Sequence, residues 1–221
     1  MADRADPAQT RGFAWHGRFR ADGIWSDITG LLTRAVRARQ GREPEPTTAI
    51  PAKPVGLRLD SQSVVSSPQK GPRGVDGNKK VRGTERHVLT CSLGFVLAVL
   101  VTAANTHDTQ PVAALLALAA GDGWSVERVK VDGIYVGPRM AQAATDHDVD
   151  VQVTTRERDE TGFRPLPLRW RIEATFGTLS NRWHRLTRNL EQSPAAAEDA
   201  VAIANCHRLL RAYHRPEYSA A

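Results

Sequence analysis

The run from His87 to Ala104 constrains this chain most. It is dominated by Val, Leu, Ala and Thr, and Ser92-Leu93-Gly94 interrupts it near the middle. Aliphatic and β-branched residues around a glycine turn predict a hairpin, with strands at about 86–92 and 95–102 turning at Gly94. The longest apolar stretch, Gly94 to Asn105, is too short to span a bilayer, which takes roughly 20 residues. The start, MADRADPAQTRG, has no apolar core and does not read as a secretory signal. The expectation is a protein without a membrane span, located in the cytoplasm.

The rest of the chain supplies elements for that hairpin to join. Phe13, Trp15 and Phe19 precede a helical pattern from Ile24 to Arg39, in which Ile24, Ile28, Leu31, Leu32, Ala35 and Val36 recur at helical spacing. Glu43-Pro-Glu-Pro-Thr-Thr48 reads as a linker, and Pro51-Ala-Lys-Pro54 delays the first strand to about Val55–Val65. Residues 66–80 read as a loop. A helix is predicted over Thr109–Ala120 with Pro111 in its first turn, a strand over Val126–Val131, and a helix over Arg139–Asp146. A strand over Val149–Thr154, a long helix over Trp170–Leu190 and a last helix over Pro194–His214 follow. This order predicts an α/β fold, a mixed sheet with flanking helices, preceded by a short helical N-terminal segment. The expected division is 1–43 helical segment, 44–54 linker, 55–216 main domain and 217–221 tail.

With 221 residues, 41% hydrophobic and 24% charged, the chain suits one full domain with a small accessory segment. Cys91 and Cys206 are too few and too far apart for a disulfide scaffold or a cysteine-rich zinc module, and read as small core residues. The net charge of +6 is suggestive of a polyanionic partner, and its distribution says more. Phe163–Leu190 holds Arg164, Arg169, Arg171, Arg182, Arg185 and Arg188 against one acid, Glu173. Lys70–His87, which includes Lys79 and Lys80, is a second basic stretch. The alternative to a polyanion surface is two solvated faces.

Three acids sit where metal ligands would be useful. Asp60 falls inside the first strand, where a carboxylate is costly unless paired or metal-bound. Asp132 follows Val129-Lys-Val131 at a strand's C-terminal end, where open α/β sheets place their sites. Glu173 lies on the arginine-rich helix. Taken singly, an acid at a strand end is ordinarily a turn or cap residue and one on a helix is solvated. Asp108 reads as a helix N-cap, and His107 as structural more readily than as a ligand.

Several ordered blocks resemble the DDE transposases of bacterial insertion sequences, in their type-four/type-five branch. They are Asp60-Ser-Gln-Ser-Val64, Lys70-Gly-Pro-Arg-Gly-Val-Asp-Gly-Asn-Lys-Lys80 and Arg86-His-Val-Leu. Leu93-Gly-Phe-Val-Leu-Ala-Val, Ala104-Asn-Thr-His-Asp108 and Val131-Asp-Gly-Ile-Tyr135 follow, and Gly162 to Phe176 closes the series. The resemblance covers roughly residues 57–213 and implies a ribonuclease-H-like fold. It implies a site in which Asp60, Asp132 and Glu173 bind two Mg2+ ions, with Mn2+ as substitute, for cleaving DNA and transferring strands during transposition. Arg169 matches the arginine of the family's tyrosine–arginine–glutamate signature and would hold a phosphate, its alternative being an i,i+4 ion pair with Glu173. Tyr135 would contact DNA or simply pack. Arg182, Arg185, Arg188, Lys79 and Lys80 are the further DNA-binding candidates, with the three arginines expected along one helical face. The implied partners are transposon ends and target DNA, with a homodimer as candidate assembly and a nucleoid-associated location.

The chain departs from that family pattern in places. Most of the usual N-terminal helical DNA-binding region has no counterpart, Pro51–Pro54 looks inserted, and Val65 stands where many relatives have lysine. Two other readings therefore stand beside the transposase: a catalytically inactive, truncated remnant that only binds DNA, and a ribonuclease-H-like nuclease that cuts without joining. The helix at Ile24–Arg39 lacks a helical partner of its own and is expected to dock on the main domain through its apolar stripe.

Overall fold

A computed structural model describes residues 17–45, 57–67, 71–154 and 169–215. Phe13 and Trp15, the linker beyond Glu45, Val55, Lys70, the Gly162–Leu168 part of the last block and the 217–221 tail lie outside them. Six strands form one mixed sheet: β1 (Leu57–Val65), β2 (Gly74–Asp76), β3 (Val81–Thr90), β4 (Val96–Ala103), β5 (Arg128–Asp132) and β6 (Asp150–Thr154). The spatial order is β2-β3-β1-β5-β6, with β4 also pairing β3. β3 runs antiparallel to β1, β2 and β4, whereas β5 is parallel to both β1 and β6. This is the α/β, ribonuclease-H-like mixed sheet with flanking helices that the sequence led us to expect.

The hairpin is as read. Gly94 adopts φ +77° between β3 and β4, a left-handed conformation that glycine reaches without a Cβ penalty. Its amide donates to the Cys91 carbonyl at 2.8 Å. Gly83 answers a different need, since a Cβ there would lie 1.9 Å from the Val64 carbonyl oxygen. The 66–80 segment holds a strand that its Gly, Pro and Lys content hid. β2 is only three residues long and pairs with the first three residues of β3.

Helices cover both faces. We label them α1 (Ile24–Arg39), α2 (Val112–Gly121), α3 (Pro138–Asp146), α4 (Arg169–Arg182), α5 (His184–Thr187) and α6 (Pro194–His214). Leu57, Leu59 and Leu89 pack toward α2 residues Val112, Leu115 and Leu116 in one cluster. Val88, Val99 and Val101 pack toward Ile172, Phe176 and Leu179 of α4 and Val201 of α6 in the other. α6 begins at Ser193, whose side chain accepts from the Ala196 amide, with Pro194 in the first turn. It also covers the open edge of β4. Asn205 accepts from the Val96 amide at 3.1 Å and donates to the Val96 carbonyl at 2.8 Å, and Glu198 accepts from the Val101 amide at 2.8 Å. Unpaired edge groups are costly when buried, and three side-chain bonds satisfy these.

Three expectations are corrected. The helix expected over Trp170–Leu190 ends at Arg182, because Trp183 is extended at φ −121° and ψ 96°. After the short α5 the chain turns back to β1: the Asn189 amide donates to the Val65 carbonyl at 2.8 Å, and the Ser67 amide donates to the Asn189 carbonyl at 2.9 Å. The helix expected to be capped by Asp108 starts instead at Pro111, with no side-chain cap, while Asp108 turns to Ser61. α1 does dock, against α6, but through only part of the expected apolar stripe, since Val36 is fully buried and Leu32 packs on the core. Its buried residues are Thr29, Gly30, Thr33, Val36 and Arg37, whereas Leu31 is 69% exposed. Small residues let the two helices approach, as the 3.3 Å contact of the Thr29 hydroxyl with the Cys206 thiol shows. Arg37 tolerates burial because its guanidinium donates to the carbonyls of Glu43, Pro44 and Glu45 and to Ser92.

Candidate active site

The pairing of β1 with β5 decides where two of the three acids go. Leu57 lies opposite Val129 and Arg58 opposite Lys130. The parallel pairing stops two residues before Asp60 and Asp132, which follow on adjacent strands. Neighbouring strands lie about 4.8 Å apart, and side chains at paired positions share a face. Asp60 and Asp132 line one narrow cleft together with Arg58, Lys130, Val131, Leu59 and Ile172. The two carboxylates are held by the same local device. The Ser61 amide donates to Asp60 Oδ1 at 2.9 Å, and the Gly133 amide donates to Asp132 Oδ1 at 2.5 Å. Each acid is therefore oriented by the peptide that follows it.

Ile172 brings the first turn of α4 to that cleft. Glu173 is the next residue, and its side chain is exposed. Farther along the helix, Ser180 meets Gln62 of β1, with the Gln62 amide nitrogen 3.3 Å from the Ser180 hydroxyl. The helix carrying the third acid thus lies over the same face of β1 as Asp60 and Gln62. Arg169 opens this helix, but its side chain lies outside the described residues.

Two cations that the sequence reading passed over stand two residues before the acids. Arg58 and Lys130 are paired across the strands, and Arg58 is 8% exposed. Burial lowers the Lys130 pKa, and the charges of Arg58 and Arg128 lower it further. The cleft is thus a pair of carboxylates in front of a buried arginine and a half-buried lysine. The period-two alternation of Arg58 with Asp60 and of Lys130 with Asp132 was the available signal.

The remaining candidates are placed differently. Tyr135 is fully buried, so packing is the one of its two roles that this position serves. Lys79 is committed to Glu85 at 3.0 Å and lies 3.6 Å from Asp76. Burial works to lower its pKa, but the Glu85 hydrogen bond and charge outweigh that and raise it. Lys80 is exposed in the β2–β3 turn at φ 53°. Arg182 ends α4, Arg185 sits on α5 and Arg188 is extended, so they do not follow one helical face. All three are exposed, and Arg185 pairs with Glu191 at 2.7 Å.

A pocket of about 240 Å³ lies elsewhere, between α1, β4 and α6. It contains none of the three acids. Its charged groups include the Arg20–Asp199 pair at 2.6 Å and Glu198, which binds the β4 edge. No helix among the described residues is long and apolar enough to cross a membrane.

A family model described as a transposase DDE domain matches residues 51–209, which includes the cleft, the sheet and most of α6. No curated protein matches the chain.

Proposed function

We propose, for a chain that belongs to the transposase DDE domain family, that Asp60, Asp132 and Glu173 form a divalent-metal site for cutting and joining DNA strands. The observation that supports this reading is that Asp60 and Asp132, from the adjacent parallel strands β1 and β5, line one cleft with Ile172. The donor set fits Mg2+, a hard cation that takes carboxylate oxygens and keeps several waters. When bound, a pair of such ions supplies Lewis acidity toward the entering and departing oxygens of an in-line displacement at phosphorus.

The chain's own residues have four tasks around that centre. Asp60 and Asp132 present oxygens fixed by the Ser61 and Gly133 amides. Glu173 adds a third carboxylate from α4. Arg58 and Lys130 offset the charge of the acids before a polyanion arrives. Arg182, Arg185, Arg188 and Lys80, with Arg169, hold backbone phosphates and set the register of the duplex without reading its sequence. With water as nucleophile a phosphodiester is hydrolysed and the strand nicked. With a DNA 3′-hydroxyl as nucleophile the same displacement joins strands.

A plasmid-nicking assay with Mg2+ or Mn2+ tests the proposal. Nicking should need the metal and be abolished in Asp132→Asn, with DNA affinity unchanged or higher because a negative charge near phosphate has gone. Binding without nicking by the wild-type chain would replace this reading by that of a DNA-binding remnant. Nicking without joining of a supplied 3′-hydroxyl end would make the protein a nuclease.

A further inference from the structure

Strand alternation sends Asp60 to one face of β1 and Ser61 and Ser63 to the other. On that second face β3 places His87 opposite Ser61 and Glu85 opposite Ser63. The Ser61 hydroxyl lies 3.0 Å from Glu85 and 2.5 Å from Asp108. One ligand atom each from Glu85, His87 and Asp108 lies within 4.8 Å of the others. Glu85 is 3% exposed and His87 fully buried. This group is separate from the cleft of Asp60 and Asp132.

Two independent features point to a missing cation. The first is charge. With Asp76, which accepts from Ser63 at 2.7 Å, the group brings together three carboxylates, and among the described residues Lys79 is their ammonium partner. Buried charge left uncompensated is costly. The second is an unpartnered donor atom. His87 Nε2 lies 2.9 Å from the Thr102 hydroxyl oxygen, and that hydroxyl donates to the Ala103 carbonyl at 3.3 Å. The proton then sits on Nε2, donating to Thr102, and Nδ1 keeps its lone pair. Nδ1 is buried and has no hydrogen-bond partner. An imidazole whose other nitrogen is tied down in this way is prepared as a metal ligand.

We propose that Glu85, His87 and Asp108 bind one divalent transition-metal ion, Zn2+ or Mn2+, at a site distinct from the Asp60–Asp132 carboxylates. One imidazole and two carboxylates suit those ions better than Mg2+, which favours all-oxygen shells. Lys79, whose side chain is 46% exposed, is the cation that gives way. Ser61 joins the two faces, since its amide holds Asp60 while its hydroxyl holds the second group. A metal there stiffens the strand that carries Asp60.

Calorimetric titration of untagged, chelator-stripped protein with ZnCl2, MnCl2 and MgCl2 tests the proposal. The double variant Asp60→Asn, Asp132→Asn should still take up one Zn2+ or Mn2+. Asp108→Asn and His87→Gln should bind that ion at least tenfold more weakly, and Lys79→Ala should bind it more tightly because a competing charge has gone. Saturation at about a hundredfold excess over Kd should raise the Tm by roughly 5–10 °C. Loss of the ion in the double variant would overturn the site. So would wild-type affinity in an Asp108→Asn variant whose circular dichroism and chelated Tm match the parent. A Lys79→Ala variant that melts lower and takes up no metal would show that Lys79 is the cluster's permanent cation, and would equally overturn it.

Discussion

At the scale of single residues, His87 makes the fold sensitive to acid. Burial lowers its pKa to about 4, with the Asp108 charge opposing and the Lys79 charge reinforcing the shift. The unfolded imidazole, near 6.5, takes its proton first. Between pH 6.5 and 4 the unfolded state therefore binds more protons, and stability falls as pH falls through that window. Above pH 6.5 the contribution is fully present. The loss on going from pH 7.5 to 5 should be about 2 kcal/mol, measured by urea unfolding in chelator. His87→Gln, which keeps a donor for Thr102, should lose distinctly less over the same interval. Equal losses in the two proteins would mean that another group carries the acid sensitivity. Glu85 has the opposite sign. Its pKa is raised, chiefly by burial and against the Lys79 hydrogen bond, so what it contributes is full below the ordinary carboxylate range and declines as pH climbs through its folded value.

At the scale of elements, α6 matters more as an edge cover than as an amphipathic helix. Asn205 is fully buried and makes two bonds to one residue of β4, Val96. Asn205→Ala leaves a buried amide and a buried carbonyl unpaired, which should cost roughly 2–4 kcal/mol. Thermal or urea unfolding should show that loss, and a cost under about 0.5 kcal/mol, the level of an ordinary surface substitution, would mean that water satisfies the β4 edge. Nothing in the sequence announced this role, because an asparagine in an alanine-rich helix reads as a solvated position. What could be read were elements governed by local rules: the Gly94 hairpin, the Pro194 start of α6, and an Ala/Leu helix entered near Pro111. What could not be read depends on distant partners. Trp183 interrupts the arginine-rich helix while its ring packs edge-on to His207, 5.4 Å away. α1 buries Thr29, Gly30 and Thr33 rather than Leu31 because close approach to α6 favours small side chains over apolar ones.

At the scale of the whole molecule, the sheet turns spacing along the chain into proximity. Asp60 and Asp132 could be picked out from the sequence because each stands in or at the end of an apolar strand, and the adjacency of β1 and β5 then brings both to one cleft. The second group was hidden because Glu85 and His87 lie in a strand that reads simply as core, while Asp108, in the turn before α2, reads as a helix cap. The arginine surface was legible as charge but not as shape. Arg182 and Arg188 lie on either side of the short α5, while Arg185 is already held by Glu191. An arginine engaged with a carboxylate must give up that bond to reach a phosphate, so the three should not contribute alike to DNA affinity. Each phosphate contact to duplex DNA steepens the slope of log K against log salt by about 0.9. Arg182→Ala and Arg188→Ala should each flatten that slope by nearly this amount, equally for unrelated sequences, and Arg185→Ala by clearly less. Glu191→Gln should release Arg185 and steepen the slope by up to about 0.9. Binding isotherms at several salt concentrations decide the matter. Equal effects of the three alanine variants, or no effect of Glu191→Gln, would show that the Arg185–Glu191 pair does not restrain this surface.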